Sequence, residues 1–183
     1  MPPSASPRLL PGSLGRLVLV VRVLCLLGVV TLIGVPLWFW SSADNVRGFG
    51  PQLAAIGQVL IDERAMRLGA LATVLPVSVG LFALWQLWRL FAEYSVGRVF
   101  SRAALGHLRR FAWTLLAAAL LAPVMRSVMS VVFTLSNPPG QRMLALSLSW
   151  SDYLAVLLAV VLIAIATVMA EAVRVAEENE GFV

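Results

Sequence analysis

The stretch YLAVLLAVVLIAIATVMA, Tyr153–Ala170, runs for 18 residues without a charged side chain. A helix needs about 20 predominantly apolar residues to cross roughly 30 Å of hydrocarbon. A helix packed on a soluble core would show a polar face at every turn; here only Tyr153 and Thr167 carry a hydroxyl. Three further stretches read the same way: Leu17–Trp40, Leu68–Phe91 and Phe111–Leu135. The fold class that follows is all-α and polytopic, four transmembrane helices in an antiparallel bundle, with the lipid bilayer as their main solvent. Residues 1–13, rich in Pro and Ser, read as a mobile cytoplasmic tail. Residues 14–183 form one membrane domain.

Composition agrees. The 183 residues are 60% hydrophobic and 13% charged, with a mean hydropathy of +0.91. A soluble domain averages about 45–50% apolar and about 25% charged. All 14 basic residues are arginine, which reflects GC-rich codon usage rather than chemistry. The net charge of +5 does not indicate direct nucleic-acid binding, because the arginines flank the apolar spans instead of gathering on one face. Cys25 is the only cysteine, so no intrachain disulfide or multi-cysteine metal site can form.

The first span is expected to be retained. Its apolar run, Val23–Phe39, is longer than the roughly 7–15 residues of a signal-peptide core, and bulky Trp38-Phe39-Trp40 precedes the small residues of a cleavage site. Arginines set the orientation. Nine (Arg8, Arg16, Arg22, Arg89, Arg98, Arg102, Arg109, Arg110, Arg174) fall on the side of the termini and middle link, against four (Arg47, Arg64, Arg67, Arg142) opposite. The positive-inside rule puts both termini in the cytoplasm. Trp38, Trp40, Trp85, Trp88, Trp113 and Trp150 sit near span ends, where amphipathic rings anchor at headgroup level.

In the outer link Ser41–Arg67, Gly48, Gly50 and Pro51 signal a turn. The spacing of Leu53, Ile56, Val59 and Leu60 predicts a short outer-face helix over 52–66, with Glu63 and Arg67 in favourable i,i+4 order. The second outer link, Ser136–Ser151, turns at Asn137-Pro-Pro-Gly140 before an apolar stretch, Met143–Leu148. The middle link, Ala92–Arg110, reads as an elbow. Gly97 ends the second span, Phe100 turns back to the interface, and Ser101 N-caps a helix that starts at Arg102. Arg98, Phe100, Arg102, Arg109 and Arg110 there are candidate contacts for lipid headgroups or for a cytoplasmic partner. The acidic tail, with Glu171, Glu177, Glu178 and Glu180, either ends in solvent or lies against this basic elbow.

Arg126 is the one charge well inside a span. Near the bilayer centre it costs at least about 2.5–3.5 kcal/mol on insertion scales, so it must snorkel or find a carboxylate. Asp152 is the nearest by depth; Asp62 and Glu63 could also reach it, and Pro123 frees a backbone carbonyl nearby. Arg22 and Glu171 lie at matching depths on the inner side, which predicts an ion pair joining spans one and four. Ala155, Ala159, Ala166 and Ala170 in span four, and Ala118 and Ala122 in span three, are small-xxx-small packing signals, within the bundle or between copies in a homo-oligomer. No catalytic residues, metal ligands or cofactor motif emerge. His107 is the only histidine, and no triad, paired-carboxylate centre or Gly-rich phosphate loop is present. The chain reads as a non-enzyme.

The segments Leu84-Trp-Gln-Leu-Trp-Arg-Leu-Phe91, Gly97-Arg-Val-Phe-Ser101 and Leu108-Arg-Arg110 resemble the elbow of the bacterial membrane family called domain of unknown function 2975. Asn137-Pro-Pro-Gly140, Val168-Met-Ala-Glu-Ala172 and Glu177-Glu-Asn-Glu180 resemble its second half, so the similarity covers about residues 65–183. Arg98 stands where that family more often has an acidic residue. The resemblance implies four membrane helices, no established activity and, because members often sit beside genes for small helix-turn-helix regulators, a role in regulation; a bacterial inner-membrane location is expected. A non-enzymatic regulatory protein that binds such a partner is the leading expectation. The alternative is a subunit of a small oligomeric channel or transporter, with Arg126 and Asp152 lining its path.

Overall fold

A computed structural model describes residues 12–54, 62–135, 137–138 and 144–180. Five helices follow in order: α1 (Gly12–Trp40), α2 (Ala43–Ala54), α3 (Glu63–Ser95), α4 (Arg102–Thr134) and α5 (Trp150–Glu180). Among the described residues there is no strand. Helices α1, α3, α4 and α5 are each long and apolar enough to cross a membrane. The 33 residues of α4 reach about 50 Å at 1.5 Å per residue, so its ends overhang a hydrocarbon layer of roughly 30 Å. Helix α1 includes Gly12 and Ser13; the rest of the expected tail, residues 1–11, lies outside the described residues.

Every neighbouring pair runs antiparallel. On α1 and α3, Arg22 meets Ser95, Gly28 lies beside Leu84, and Trp40 covers Gly69. His107 of α4 meets Gln86 of α3. Arg102 and Arg126 of α4 meet Glu177 and Asp152 of α5. The extensive contacts are α1 with α3, α3 with α4 and α4 with α5. This corrects the expectation that spans one and four are neighbours. Depth along the bilayer normal is legible from hydropathy, but lateral order is not, because lipid solvates every apolar face alike.

Most large apolar side chains point outward, Leu37 at 68% exposure among them. The helix contacts are made instead by small residues. Leu105, Ala112 and Ala119 are buried on α4 at seven-residue intervals, with Phe133 two intervals further and the half-buried Arg126 between, and Asp152, Ala159 and Ala166 are buried on α5 at the same spacing. The two end contacts, Arg102 with Glu177 and Arg126 with Asp152, set a register that brings Ala112 level with Ala166 and Ala119 level with Ala159. A seven-residue repeat is the seam of left-handed helix packing, and small side chains let the backbones approach where lipid supplies no hydrophobic drive. Only Ala159 and Ala166 of the four small residues in span four are fully buried, so the seam follows the heptad and not the four-residue step.

The opposite face from the elbow departs from expectation in two places. The short helix is α2, Ala43–Ala54, and it contains Gly48, Gly50 and Pro51 instead of following them. The Ser42 hydroxyl accepts the Asp44 N–H at 3.2 Å and so supports its first turn. Val46 and Gly50 are buried against Phe133 of α4, which explains why glycine here serves packing and not a turn. Residues 55–61, most of the helix expected at 52–66, lie outside the described residues; Glu63 and Arg67 do pair, at 2.7 Å.

The second departure is Trp40. Its indole turns inward over Gly69, donates to Thr73 Oγ1 at 3.0 Å and stacks on Phe133 at 6.0 Å. It is a packing residue, whereas its neighbour Trp38 is exposed.

Candidate functional site

Two groups of polar residues stand out against this apolar frame. The first is the elbow between α3 and α4. Helix α3 ends in a Schellman-type turn. Gly97 adopts φ +78°, its N–H returns to Tyr94 O at 3.1 Å, and the Arg98 N–H returns to Glu93 O at 3.1 Å. A left-handed φ is cheap only for glycine. The Arg98 side chain then folds back on Glu93, Nε to Oε2 at 2.9 Å. Helix α4 begins at once, its first turn capped by Ser101, whose hydroxyl accepts the Ala104 N–H at 3.1 Å. The turn is therefore fixed at both ends, and it carries Val96 at 62% and Phe100 at 69% exposure.

The acidic tail lies beside the elbow. Arg102 Nε donates to both carboxylate oxygens of Glu177, at 3.0 and 3.1 Å. Arg174 serves Glu171 and Glu178 on its own helix. Such i,i+3 and i,i+4 pairs are each worth only a few tenths of a kcal/mol, but they consume the acids of the tail locally. Arg109 and Arg110 are exposed and, among the described residues, form no ion pair.

Arg22 and Glu171 are not brought together. The Arg22 guanidinium lies 5.2 Å from the ring centre of Trp88, donates to Ser95 Oγ at 3.5 Å, and keeps a buried Nε–H with no partner among the described residues. A cation over an indole face is attracted by the ring quadrupole. Glu171 turns to Arg174 because α5 packs on α4, leaving α1 out of reach.

The second group is inside the bundle. Arg126 pairs with Asp152 and donates to the Ser147 carbonyl at 3.3 Å. Asp152 also accepts the Ser149 N–H and the Ser149 hydroxyl, each at 2.8 Å. Asp152 thus reaches back to the Ser149 N–H as the acidic half of a capping box does, which starts α5 and holds the carboxylate toward Arg126. Arg126 lies eight residues before Thr134 on α4, about 12 Å along the axis, so α5 starts well below the end of α4. Residues 144–149 descend along α4 to reach it. The Ala145 N–H donates to Ser130 Oγ at 3.0 Å, while Leu146 and Leu148, 82% and 86% exposed, point away. Irregular backbone at this depth is tolerable where the bundle supplies its hydrogen bonds, as it does at these positions.

One polar contact has no counterpart in the sequence reading. Gln86, 1% exposed, accepts from His107 Nδ1 at 2.7 Å, so the single histidine ties α4 to α3. A glutamine inside Leu-Trp-Gln-Leu-Trp was the available signal. Among the described residues no three His, Cys, Asp or Glu side chains gather as a metal site.

A family described as Protein of unknown function (DUF2975) matches residues 50–182, which takes in α3, α4, α5 and both polar groups. The chain belongs to that family. No curated protein and no solved structure gives a match.

Proposed function

We propose that this member of the family is a non-enzymatic regulatory protein of the bacterial inner membrane, which holds a cytoplasmic partner against its elbow. The arginine count puts the elbow, the start of α1 and the end of α5 in the cytoplasm. The observation that carries the reading is the exposed pair Val96 and Phe100 on a turn fixed by Gly97 and by the Ser101 cap. Apolar side chains on a rigid backbone, rimmed by arginines, have the centre-and-rim character of a binding surface. Arg98 and Arg102 are already ordered by Glu93 and Glu177, so a partner would lose less side-chain entropy on meeting them. The expected partner is a small helix-turn-helix regulator with an acidic surface opposite these arginines. Arg126 and Asp152 satisfy each other, which favours this reading over a transport path that would need free polar groups.

The test is recovery of the partner from detergent-solubilised membranes by the full chain and by two variants, Phe100→Ser and Arg98→Gln with Arg102→Gln. Recovery should fall severalfold with Phe100→Ser and less with the arginine pair. Equal recovery by all three proteins would remove the elbow from the account.

A further inference from the structure

A groove runs along the face between α3 and α4, on the side away from the tail. Its mouth, a cavity of 570 Å³, is lined by Arg109, Arg110, Gly106, Trp113, Thr114 and Phe82. A second cavity of 440 Å³ shares Phe82, Trp113 and Thr114 and continues to Ser78, Val79 and Ala117. From Arg109 to Ala117 the helix rises about 12 Å, and the lining changes over that distance from guanidinium to indole to small and apolar. Neither lining includes a carboxylate.

The neighbouring cavity between α4 and α5 also holds Arg102, Arg109 and Arg174, but Glu177 lies in it and the first and last of these arginines are paired with glutamates. Among the described residues, Arg109, which lines both cavities, and Arg110 are left without a carboxylate partner. Trp113 is half exposed and marks headgroup level on α4. That sets Arg109 and Arg110, four and three residues nearer the elbow, at the depth of lipid phosphate.

We infer that this groove is a seat for one anionic phospholipid, with its phosphate between Arg109 and Arg110 and an acyl chain lying over Trp113, Phe82 and Ala117. The match is one of charge and of polarity along the axis: two free guanidiniums face the anion, and the apolar floor faces the tail. The inference is independent of the partner reading, which uses the turn at Val96–Arg102.

The probe is phosphatidylglycerol retained by the purified full chain in native mass spectrometry, against phosphatidylcholine of the same acyl chains. Arg109→Gln with Arg110→Gln should lower the preference for phosphatidylglycerol by roughly thirtyfold, taking about fivefold for each near-surface arginine. Ala117→Trp, at an exposed position, should fill the floor and lower retention while leaving both charges. Arg16→Gln, at the start of α1, should leave retention as it is. Equal loss with Arg16→Gln would reduce the effect to general surface charge and overturn the site. So would full retention by Ala117→Trp, or displacement of the lipid by millimolar inorganic phosphate, which would mean that the anion alone is read.

Discussion

Gly69→Ala adds one methyl group and tests whether Trp40 is a packing residue or a headgroup anchor. In a helix exposed to lipid or water, Ala is favoured over Gly by about 0.8–1 kcal/mol, so an anchor reading of Trp40 expects the variant to be neutral or slightly stabilised. A Cβ added at Gly69 would run into the Trp40 ring at Cη2. The indole would have to retreat by well over an ångström, yet it is tethered through Nε1 to Thr73 and stacked on Phe133.

Forcing extra bulk into such a contact costs about 1–3 kcal/mol. Losing the Thr73 hydrogen bond adds about 0.5–1.5 kcal/mol, and weakening the ring stack a comparable amount. Set against the helix gain, a net loss of about 3 kcal/mol is expected. The assay is reversible unfolding in mixed micelles, followed by tryptophan fluorescence. Trp40→Ala should be destabilised by itself, and adding Gly69→Ala to it should cost nothing further or restore about the helix propensity gain. A Gly69→Ala protein as stable as the parent, or an equal penalty in both backgrounds, would refute the contact.

Two further outcomes follow from the ion pairs. Arg126→Leu or Asp152→Leu alone should lower the folded yield severalfold, because each leaves a charge within the bundle without its partner, and the double replacement should recover most of it; gel-filtration yield in mild detergent measures this, and a double variant no better than either single one would count against the pairing. Arg22→Glu with Glu171→Arg should show no recovery over the single variants, since Arg22 faces Trp88 and Glu171 faces Arg174, whereas Arg102→Glu with Glu177→Arg should restore protection of the α5 end in hydrogen exchange.

How far the site was legible varies by residue for physical reasons. The elbow could be read closely, because Gly97 and Ser101 act through local backbone chemistry that needs no knowledge of the fold. The need of Arg126 for a carboxylate was equally plain, and Asp152 stood at a compatible depth. Gln86 with His107 was not legible: each residue alone is unremarkable, and only the packing of α3 on α4 brings them to 2.7 Å. Gly50 is not legible because glycine marks both turns and close contacts, and only Phe133, far along the chain, decides between them.

By itself the sequence determined that four helices cross the membrane, where each begins and ends to within about three turns, and that a basic elbow joins the middle pair. Those features depend on the free energy of each segment in lipid and on the caps beside it. The tertiary structure alone decided that α1 packs on α3 and α5 on α4, that Trp40 turns inward, that α5 starts about 9 Å below the end of α4, and which arginines, among the described residues, have no carboxylate partner. Lipid does not prefer one apolar neighbour over another, so these choices rest on small-residue seams and a few polar pairs, and such pairs exist only once the helices have met.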